Sequence, residues 1–230
     1  MTNRQAPDLT PQARHAQERR HVFQRSVELL LTPVAGDFDA AHLREINRRL
    51  FQDLPALGFD DVTPGQYRPA VPDGLDWIKN RRLETVDAPS CVAYSRMDDI
   101  ALARMDHMLA EARPATLSRL PLAEFVRALG DLYAELDYAH PFRDGNSRSL
   151  RIFTRQLAQA CGYSLDWERF NRSPGARDLL YIARDRSVNA LALPDIRHAG
   201  TRRDVVLTMD RFEGNPDLPE LLRDAVSAAS

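Results

Sequence analysis

A mainly α-helical fold is predicted for this chain, because apolar residues recur at helical spacing along most of its 230 residues. Three stripes with a period near 3.6 residues carry the prediction, and each is typical of a helix that buries one face in a core. One short β-prone stretch interrupts them. With 43% hydrophobic residues, the chain can form one substantial core. The sequence therefore predicts a helical bundle with a small β-hairpin.

The N-terminal part is expected to contain a tail, two helices and a loop. Residues 1–20 lack the apolar segment of a signal peptide and are mostly polar, so we interpret them as a tail. Asp39 is a plausible N-cap of the second helix. A loop is expected over residues 55–74, which are rich in Pro, Gly and Asp. The two apolar stripes consist of Val22, Phe23, Val27, Leu30 and Leu31, and of Leu43, Ile46, Leu50 and Phe51.

The β-prone stretch lies at residues 90–94, Ser-Cys-Val-Ala-Tyr. Pro89 bounds it on one side, and on the other side Asp98 is predicted to cap a helix over residues 100–109. A strand that belongs to a surface hairpin is the simplest interpretation of this pattern.

Two helices then frame a polar segment. The clearest apolar stripe of the chain runs through residues 122–138, and Pro121 suits its first turn. The pattern resumes over residues 149–161 and ends at Gly162, a good helix stop. Residues 140–148 are consequently a loop held between two rigid elements, where functional residues are disproportionately found.

This loop has the composition of a phosphate-binding turn. At residues 144–147, Asp-Gly-Asn-Ser combines turn formers with the start of a helix. Several backbone N–H groups should therefore line one concavity at the positive end of the helix dipole, which suits a phosphate. Arg148 and Arg151 are three residues apart on one helical face, where two guanidinium groups favour a polyphosphate.

The same segment offers a metal ligand and a base. Asp144 is a hard oxygen ligand, and one carboxylate together with substrate phosphates is the usual protein site for Mg²⁺. His140 is a natural general base for a hydroxyl that attacks the phosphate. Each feature alone has a commoner structural explanation, because a single His, an Arg pair and a turn all occur without catalysis. Their combination favours a catalytic site.

The segment resembles the Fic-domain signature, His-x-Phe-x-(Asp/Glu)-Gly-Asn-x-Arg-x-x-Arg. Ser147 is the one departure, at a position where Gly is commonest in the family. Weaker similarity extends to residues 43–53, 64–68 and 125–137. The fixed positions are filled by His140, Phe142, Asp144, Gly145, Asn146, Arg148 and Arg151.

The resemblance implies a Fic-type helical bundle over residues 21–200, with a hairpin flap beside the active-site loop and a C-terminal extension at 201–230. It implies Mg²⁺-dependent transfer of AMP from ATP to a hydroxyl side chain of a protein, with release of pyrophosphate. His140 would be the base and Asp144 the Mg²⁺ ligand. The phosphates would be bound by Gly145, Asn146, Ser147, Arg148 and Arg151. An extended target segment would pair with the flap at Val92, Ala93, Tyr94 and Ser95.

Two alternatives remain open at this point. The same fold in relatives transfers UMP, phosphate or phosphocholine, although the Lys that would favour phosphotransfer is absent at position 147. A degenerate Fic domain could also serve as a protein-binding scaffold, but a scaffold has no physical need for the intact His140, Asp144 and Arg148.

Many Fic domains are inhibited by a helix with the pattern (Ser/Thr)-x-x-x-Glu-(Gly/Asn). The nearest candidate here, residues 208–215, contains Glu213 but is one residue too long, which turns the side chain by about 100°. We therefore expect that Glu213 does not pair with Arg151. An unrestrained enzyme would be a toxin held by a small antitoxin with an inhibitory Glu helix, or an effector delivered to another cell.

Charge and cysteine content limit the possible partners and compartment. A net charge of −2 gives no basic footprint for nucleic acid. Cys91 and Cys161 are too few for a disulfide framework, which favours a reducing, cytoplasmic location. No stretch of the sequence reaches the roughly twenty apolar residues that span a bilayer, so no membrane partner is expected.

Overall fold

The computed structural model describes residues 10–229. Within them the chain is mainly helical, with four short strands that form two separate two-stranded antiparallel sheets. The strands are β1 (Trp77–Arg82), β2 (Pro89–Tyr94), β3 (Tyr163–Leu165) and β4 (Val226–Ala228). The α-helices are α1 (Pro11–Leu31), α2 (Ala40–Phe51), α3 (Asp99–Glu111), α4 (Pro114–Leu117), α5 (Leu122–Ala139), α6 (Asn146–Ala160), α7 (Pro174–Ala192), α8 (Ala199–Arg211) and α9 (Leu218–Leu222).

Helix α5 is the central element of the bundle. It contacts α3, α6, α7 and α9, so its apolar residues have to cover more than one face. Phe125, Leu129 and Leu136 are fully buried, which confirms the predicted stripe. Helix α6 packs on both α5 and α2, and the loop that joins α5 to α6 is thereby held at one end of the core.

The N-terminal tail predicted over residues 1–20 is wrong from residue 11 onward, and residues 1–9 lie outside the described part of the chain. Thr10 caps α1 by accepting a hydrogen bond from the N–H of Ala13, and Pro11 occupies the first turn. The polar residues that follow are mostly good helix formers, so low hydrophobicity does not imply a coil here. The apolar stripe of α1 was also only partly correct, because Val22 and Leu29 are buried whereas Phe23 is 69% exposed.

The C-terminal residues share the core of the bundle. Helix α9 packs against α5, and its Leu218 and Leu222 are completely buried. Strand β4 pairs with β3, so that Val226 lies opposite Leu165. This short sheet was not predicted, because three-residue strands leave no periodic pattern in a sequence. Within the extension expected over residues 201–230, the part from Leu218 to Val226 is thus packed into the same hydrophobic cluster as α5.

No helix in the described range is both long and apolar enough to cross a bilayer.

Candidate active site

The C-cap of α5 is His140, which has a left-handed conformation with a φ of 46°. Such a conformation is uncommon for a residue with a side chain and has to be held in place by its surroundings. The guanidinium of Arg68 provides this support, because its Nε donates to the carbonyl of His140 at 2.8 Å and its Nη2 donates to the carbonyl of Ala139 at 3.2 Å. Arg68 therefore caps the C-terminus of α5, as cations commonly do.

The loop after His140 is fixed by Asn146. The Asn146 side chain accepts from the N–H of Phe142 at 2.8 Å and donates to the carbonyl of the same residue at 2.7 Å. Tyr67 pairs with Phe142 through its backbone and packs against its ring. The Asn146 side chain thus shapes the loop, and its backbone N–H is the group that we predicted for an anion.

Gly145 is the N-cap of α6 and is required for two separate reasons. Its φ is 74°, and a Cβ at this position would lie 2.0 Å from Cζ of Phe51. The first intrahelical bond of α6 is donated by Ser149 to the carbonyl of Gly145. The N–H groups of residues 146–148 precede that bond and have no acceptor in the preceding turn, as in any helix N-terminus. The helix N-terminus on which the predicted anion-binding nest depends is therefore present in the fold.

The imidazole of His140 is buried beside the flap and a carboxylate. Its ring centroid lies 4.0 Å from that of Tyr94, and its Nδ1 lies 3.7 Å from Oδ1 of Asp137. Burial lowers the pKa of His140 from 6.5 to about 4, and the ammonium of Lys79 adds to this effect, while Asp137 opposes it. The imidazole is therefore neutral near pH 7, which is the protonation state that a general base needs.

A buried ion pair lies next to His140. Arg184 of α7 donates to both oxygens of Asp137, at 2.9 and 3.0 Å, and donates with its Nη1 to Oγ of Ser147 at 3.1 Å. Burial alone would raise the pKa of Asp137, but Arg184 and His140 outweigh it and hold that pKa well below its ordinary value. Asp137 is thus ionised. Arg184 and Asp137 connect the base to the start of α6, and neither residue was predicted from the sequence.

The two predicted phosphate arginines have different surroundings. Arg148 donates to Oε1 of Glu18 on α1 at 2.9 Å, and its guanidinium lies over the ring of Phe51. Arg151 lies 5.7 Å from the ring of Trp167, and its Nε is buried without a hydrogen-bond partner among the described residues. Both guanidinium groups are only partly exposed, which limits the directions from which a phosphate can approach them.

The donor set around Asp144 fits a magnesium ion that is shared with a substrate. Asp144 is exposed in the loop just before the nest. In the described range no three His, Cys, Asp or Glu side chains are placed to hold a metal together. A single carboxylate next to an anion site matches the way Mg²⁺ is bound by one carboxylate and substrate phosphates.

A model of the Fic/DOC family matches residues 37–158, which include the loop and nest described above. The chain belongs to the Fic/DOC family. Among curated relatives, the protein adenylyltransferase VbhT of Bartonella schoenbuchensis is 30% identical over 162 residues, which are 70% of this chain and 29% of that protein. The probable protein adenylyltransferase Fic of Escherichia coli is 32% identical over 131 residues, 55% of this chain and 53% of that one. The chain thus spans a minor part of the first and about half of the second.

Solved structures show the same fold. The BepC effector of Bartonella tribocorum, solved with AMPPNP, superposes with a TM-score of 0.58 at 19% identity and covers 96% of this chain and 90% of that chain. A Fic domain of Bartonella quintana, solved with ADP, gives a TM-score of 0.55 at 20% identity, with coverages of 100% and 92%. The predicted mainly α Fic fold is confirmed.

The Fic flap is present, but the structure corrects our choice of docking residues on it. Strands β1 and β2 form the predicted hairpin, and Val92, Ala93, Tyr94 and Ser95 are buried. The edge of β2 that faces away from β1 is already used. Asn189 accepts from the N–H of Ala93, and Thr208 accepts from the N–H of Cys91. No edge of β2 is therefore left for a target segment.

The free edge of the hairpin belongs to β1. Ala93 and Cys91 direct their backbone groups away from β1, so their cross-strand partners Ile78 and Asn80 direct theirs away from β2. Ile78 and Asn80 are both exposed. The sequence did not reveal β1, because Trp-Ile-Lys-Asn-Arg-Arg has no apolar alternation to mark a strand.

Helix α1, rather than the C-terminal segment, pairs with one of the two predicted phosphate arginines, Arg148. Glu18 pairs with Arg148, as described above, and was missed because we interpreted residues 1–20 as a tail. Glu213 follows α8, whose Thr208 contacts the flap, and is not among the ion-paired residues of the described range. Its neighbour Phe212 packs with Leu83 and Ile182.

Proposed function

We propose that this Fic domain transfers AMP from ATP to a hydroxyl side chain, Ser, Thr or Tyr, of a target protein and releases pyrophosphate. Relatives named protein adenylyltransferases support the class of reaction. The observation that carries the proposal is the arrangement of His140 and the N-terminus of α6. The neutral, buried His140 follows α5, and a short loop, held by hydrogen bonds to Asn146, joins it to the unpaired N–H groups of α6.

In the proposed reaction, the triphosphate lies across the N-terminus of α6, where Gly145, Asn146 and Ser147 offer backbone N–H groups. Arg148 and Arg151 bind the β- and γ-phosphates. The Nε2 of His140 accepts the proton of the target hydroxyl, whose oxygen attacks the α-phosphorus in line with the departing pyrophosphate. Mg²⁺ held by Asp144 and the phosphates would supply charge neutralisation on the phosphate oxygens.

The tautomer of His140 suits this role. Its Nδ1 faces the ionised Asp137, so the proton of the neutral ring is favoured on Nδ1 and the lone pair on Nε2. Arg184 keeps Asp137 charged and in place by two hydrogen bonds. This arrangement of base and orienting carboxylate supports proton removal by Nε2.

We further propose that the target presents its hydroxyl on an extended segment that pairs with the free edge of β1. Main-chain hydrogen bonds to Ile78 and Asn80 would then fix the register of the target, and side-chain contacts would select its sequence. The biological setting that we propose is that of a toxin with a separate inhibitory partner, or of an effector delivered to another cell. Either would act in a reducing cytoplasm, where the two free buried cysteines, Cys91 and Cys161, stay reduced.

Labelled nucleotides test the reaction directly. We expect that ATP labelled on the α-phosphate labels protein of a cell lysate in a Mg²⁺-dependent manner when the purified chain is added, whereas with γ-labelled ATP the chain adds nothing to the labelling by the lysate alone. Transfer from the γ-label would instead indicate a phosphotransferase, and preference for α-labelled UTP a uridylyltransferase. Absence of label from every nucleotide, with ATP binding intact, would support a scaffold.

A further inference from the structure

A lysine of the flap touches the candidate base directly. Nζ of Lys79, on β1, lies 2.9 Å from Nε2 of His140. An ammonium group can only donate hydrogen bonds, so Nε2 has to be the acceptor. The neutral imidazole then carries its proton on Nδ1, on the side of Asp137. The contact therefore occupies the one lone pair with which His140 can remove a proton.

We propose that Lys79 is a positioning residue whose ammonium blocks Nε2 of His140 in the resting enzyme. The target hydroxyl must displace this ammonium before the reaction can begin. This proposal rests on the proposed function, because it concerns the lone pair that takes the proton of the hydroxyl. In the resting state the ammonium fixes the tautomer of His140 and denies Nε2 to water. On docking, the hydroxyl takes the place of the ammonium as donor to Nε2, so the base becomes available only when a target is present.

The surroundings of Lys79 make this displacement feasible. His140 is 6% exposed, but Lys79 is an exposed residue on the outer strand of the hairpin. Lys79 is not among the ion-paired residues of the range 10–229, and its Nζ contacts the neutral ring of His140 and lies 6.0 Å from the centroid of the Tyr94 ring. The carboxylates of Asp144 and Asp137 attract the ammonium, but neither is within ion-pair distance of it. Its four-carbon side chain is flexible and can withdraw into solvent. A target segment that pairs with β1 would bind on the strand that carries this side chain.

The charged and titratable groups around His140 agree with this assignment. Asp137 faces its Nδ1 from α5, the ring of Tyr94 covers it from β2, and Arg68 holds its carbonyl from the segment before β1. Arg68 and Asp137 are engaged elsewhere, with backbone carbonyls and with Arg184 respectively. Lys79 is therefore the hydrogen-bond partner of Nε2 in the described structure.

Acylation of His140 by diethyl pyrocarbonate tests the proposal without nucleotide or target. The lone pair of a neutral imidazole attacks a carbonyl carbon of the reagent and displaces ethyl carbonate, and at pH 7 His140 is neutral, chiefly because burial lowers its pKa to about 4. The rate at His140, followed by mass spectrometry, consequently reports access to Nε2. We expect Lys79→Met to be acylated about tenfold faster than the wild type, which is the effect of one hydrogen bond to a charged donor. Lys79→Arg, which keeps a donor, should stay near the wild-type rate.

Asn80→Met is the matched control, because Asn80 is an exposed neighbour on the same strand and its side chain lies on the opposite face from Lys79. Its rate should equal that of the wild type. Equal rates in Lys79→Met and the wild type would overturn the proposal, and so would equal acceleration by Asn80→Met, which would indicate a loosened hairpin. If the acylation rates are as expected but no AMP is transferred, the proposed function is refuted, whereas the proposed blocking of Nε2 by Lys79 is supported.

Discussion

At the scale of single residues, the site depends on side chains whose position is fixed by backbone conformation. His140 is the clearest case, since its ring reaches the flap from a left-handed helix cap. Ser147, the one departure from the family signature, is explained by Arg184, which donates to its hydroxyl. The hydroxyl thereby joins the start of α6 to the buried ion pair, while the backbone N–H remains directed to the nest.

His140→Asn is the variant of choice for the base, because Asn tolerates the left-handed conformation better than Ala does. We expect it to abolish AMP transfer while ATP affinity, measured by calorimetry, stays within about twofold, since the base contacts the hydroxyl rather than the nucleotide. Labelling of target protein at the wild-type rate would contradict the assignment.

The lowered pKa of His140 also predicts a pH-dependent stability. The unfolded chain binds a proton at this residue near pH 6.5, but the folded chain does so only near pH 4, so acid favours unfolding between these values. The free energy of unfolding should therefore fall by about 3 kcal/mol from this group across that window. Urea titrations of the wild type and His140→Asn should show a shallower pH dependence in the variant. Parallel curves would show that the folded imidazole is not protected.

Gly145→Ala tests the close approach of Phe51 to the nest. The new Cβ would overlap the Phe51 ring and adopt a positive φ, so we expect a loss of about 3 kcal/mol in the free energy of unfolding. Gly74 is the control, with a φ of 80° and no atom within 4 Å of an added Cβ. Gly74→Ala should cost only the backbone term of about 1 kcal/mol. Equal losses would mean that Phe51 moves aside freely.

At the scale of elements, helix α1 contacts the candidate site through Glu18. The Glu18 carboxylate forms an ion pair with Arg148 and therefore competes with the phosphate that Arg148 binds in the proposed reaction. Both side chains are partly exposed, so the pair contributes at most about 1 kcal/mol. We expect Glu18→Gln to tighten ATP binding about two- to fivefold. Glu28→Gln is the control, because Glu28 lies on the same helix and pairs with Arg25. Unchanged affinity in Glu18→Gln would show that the pair opens without cost. Glu213→Gly should have no effect in the same assay.

At the scale of the whole molecule, the C-terminal residues and α5 form one hydrophobic cluster. Leu218→Ala should therefore lower the stability of the entire domain by about 2–5 kcal/mol, with one cooperative transition by both fluorescence and circular dichroism. Leu207, which is 52% exposed on α8, is the control, and Leu207→Ala should change stability by less than about 0.5 kcal/mol. A separate early transition in Leu218→Ala would mean that the C-terminal part unfolds by itself.

The sequence by itself determined the helices with strong apolar periodicity and the loop of the candidate active site. Helix α5 was predictable because a buried helix has to be apolar at regular spacing, and residues 140–151 because phosphate chemistry needs particular side chains in a short segment. The nest needed only Gly145 and the start of α6, both of which are local. These properties are set by neighbouring residues and can be read without a fold.

The tertiary structure alone decided which distant residues serve the loop. Lys79, Arg184 and Glu18 reach it from a strand, a helix and an N-terminal segment that are far from it in sequence. Nothing in their local sequence marks these residues, because one ion pair or hydrogen bond imposes no periodic pattern. The free edge of β1 could not be predicted for the same reason. Whether an edge is free depends on which strands lie beside it in the folded structure, and the sequence of β1 does not show this. Local sequence thus specified the chemistry of the site, and long-range packing specified which groups control it.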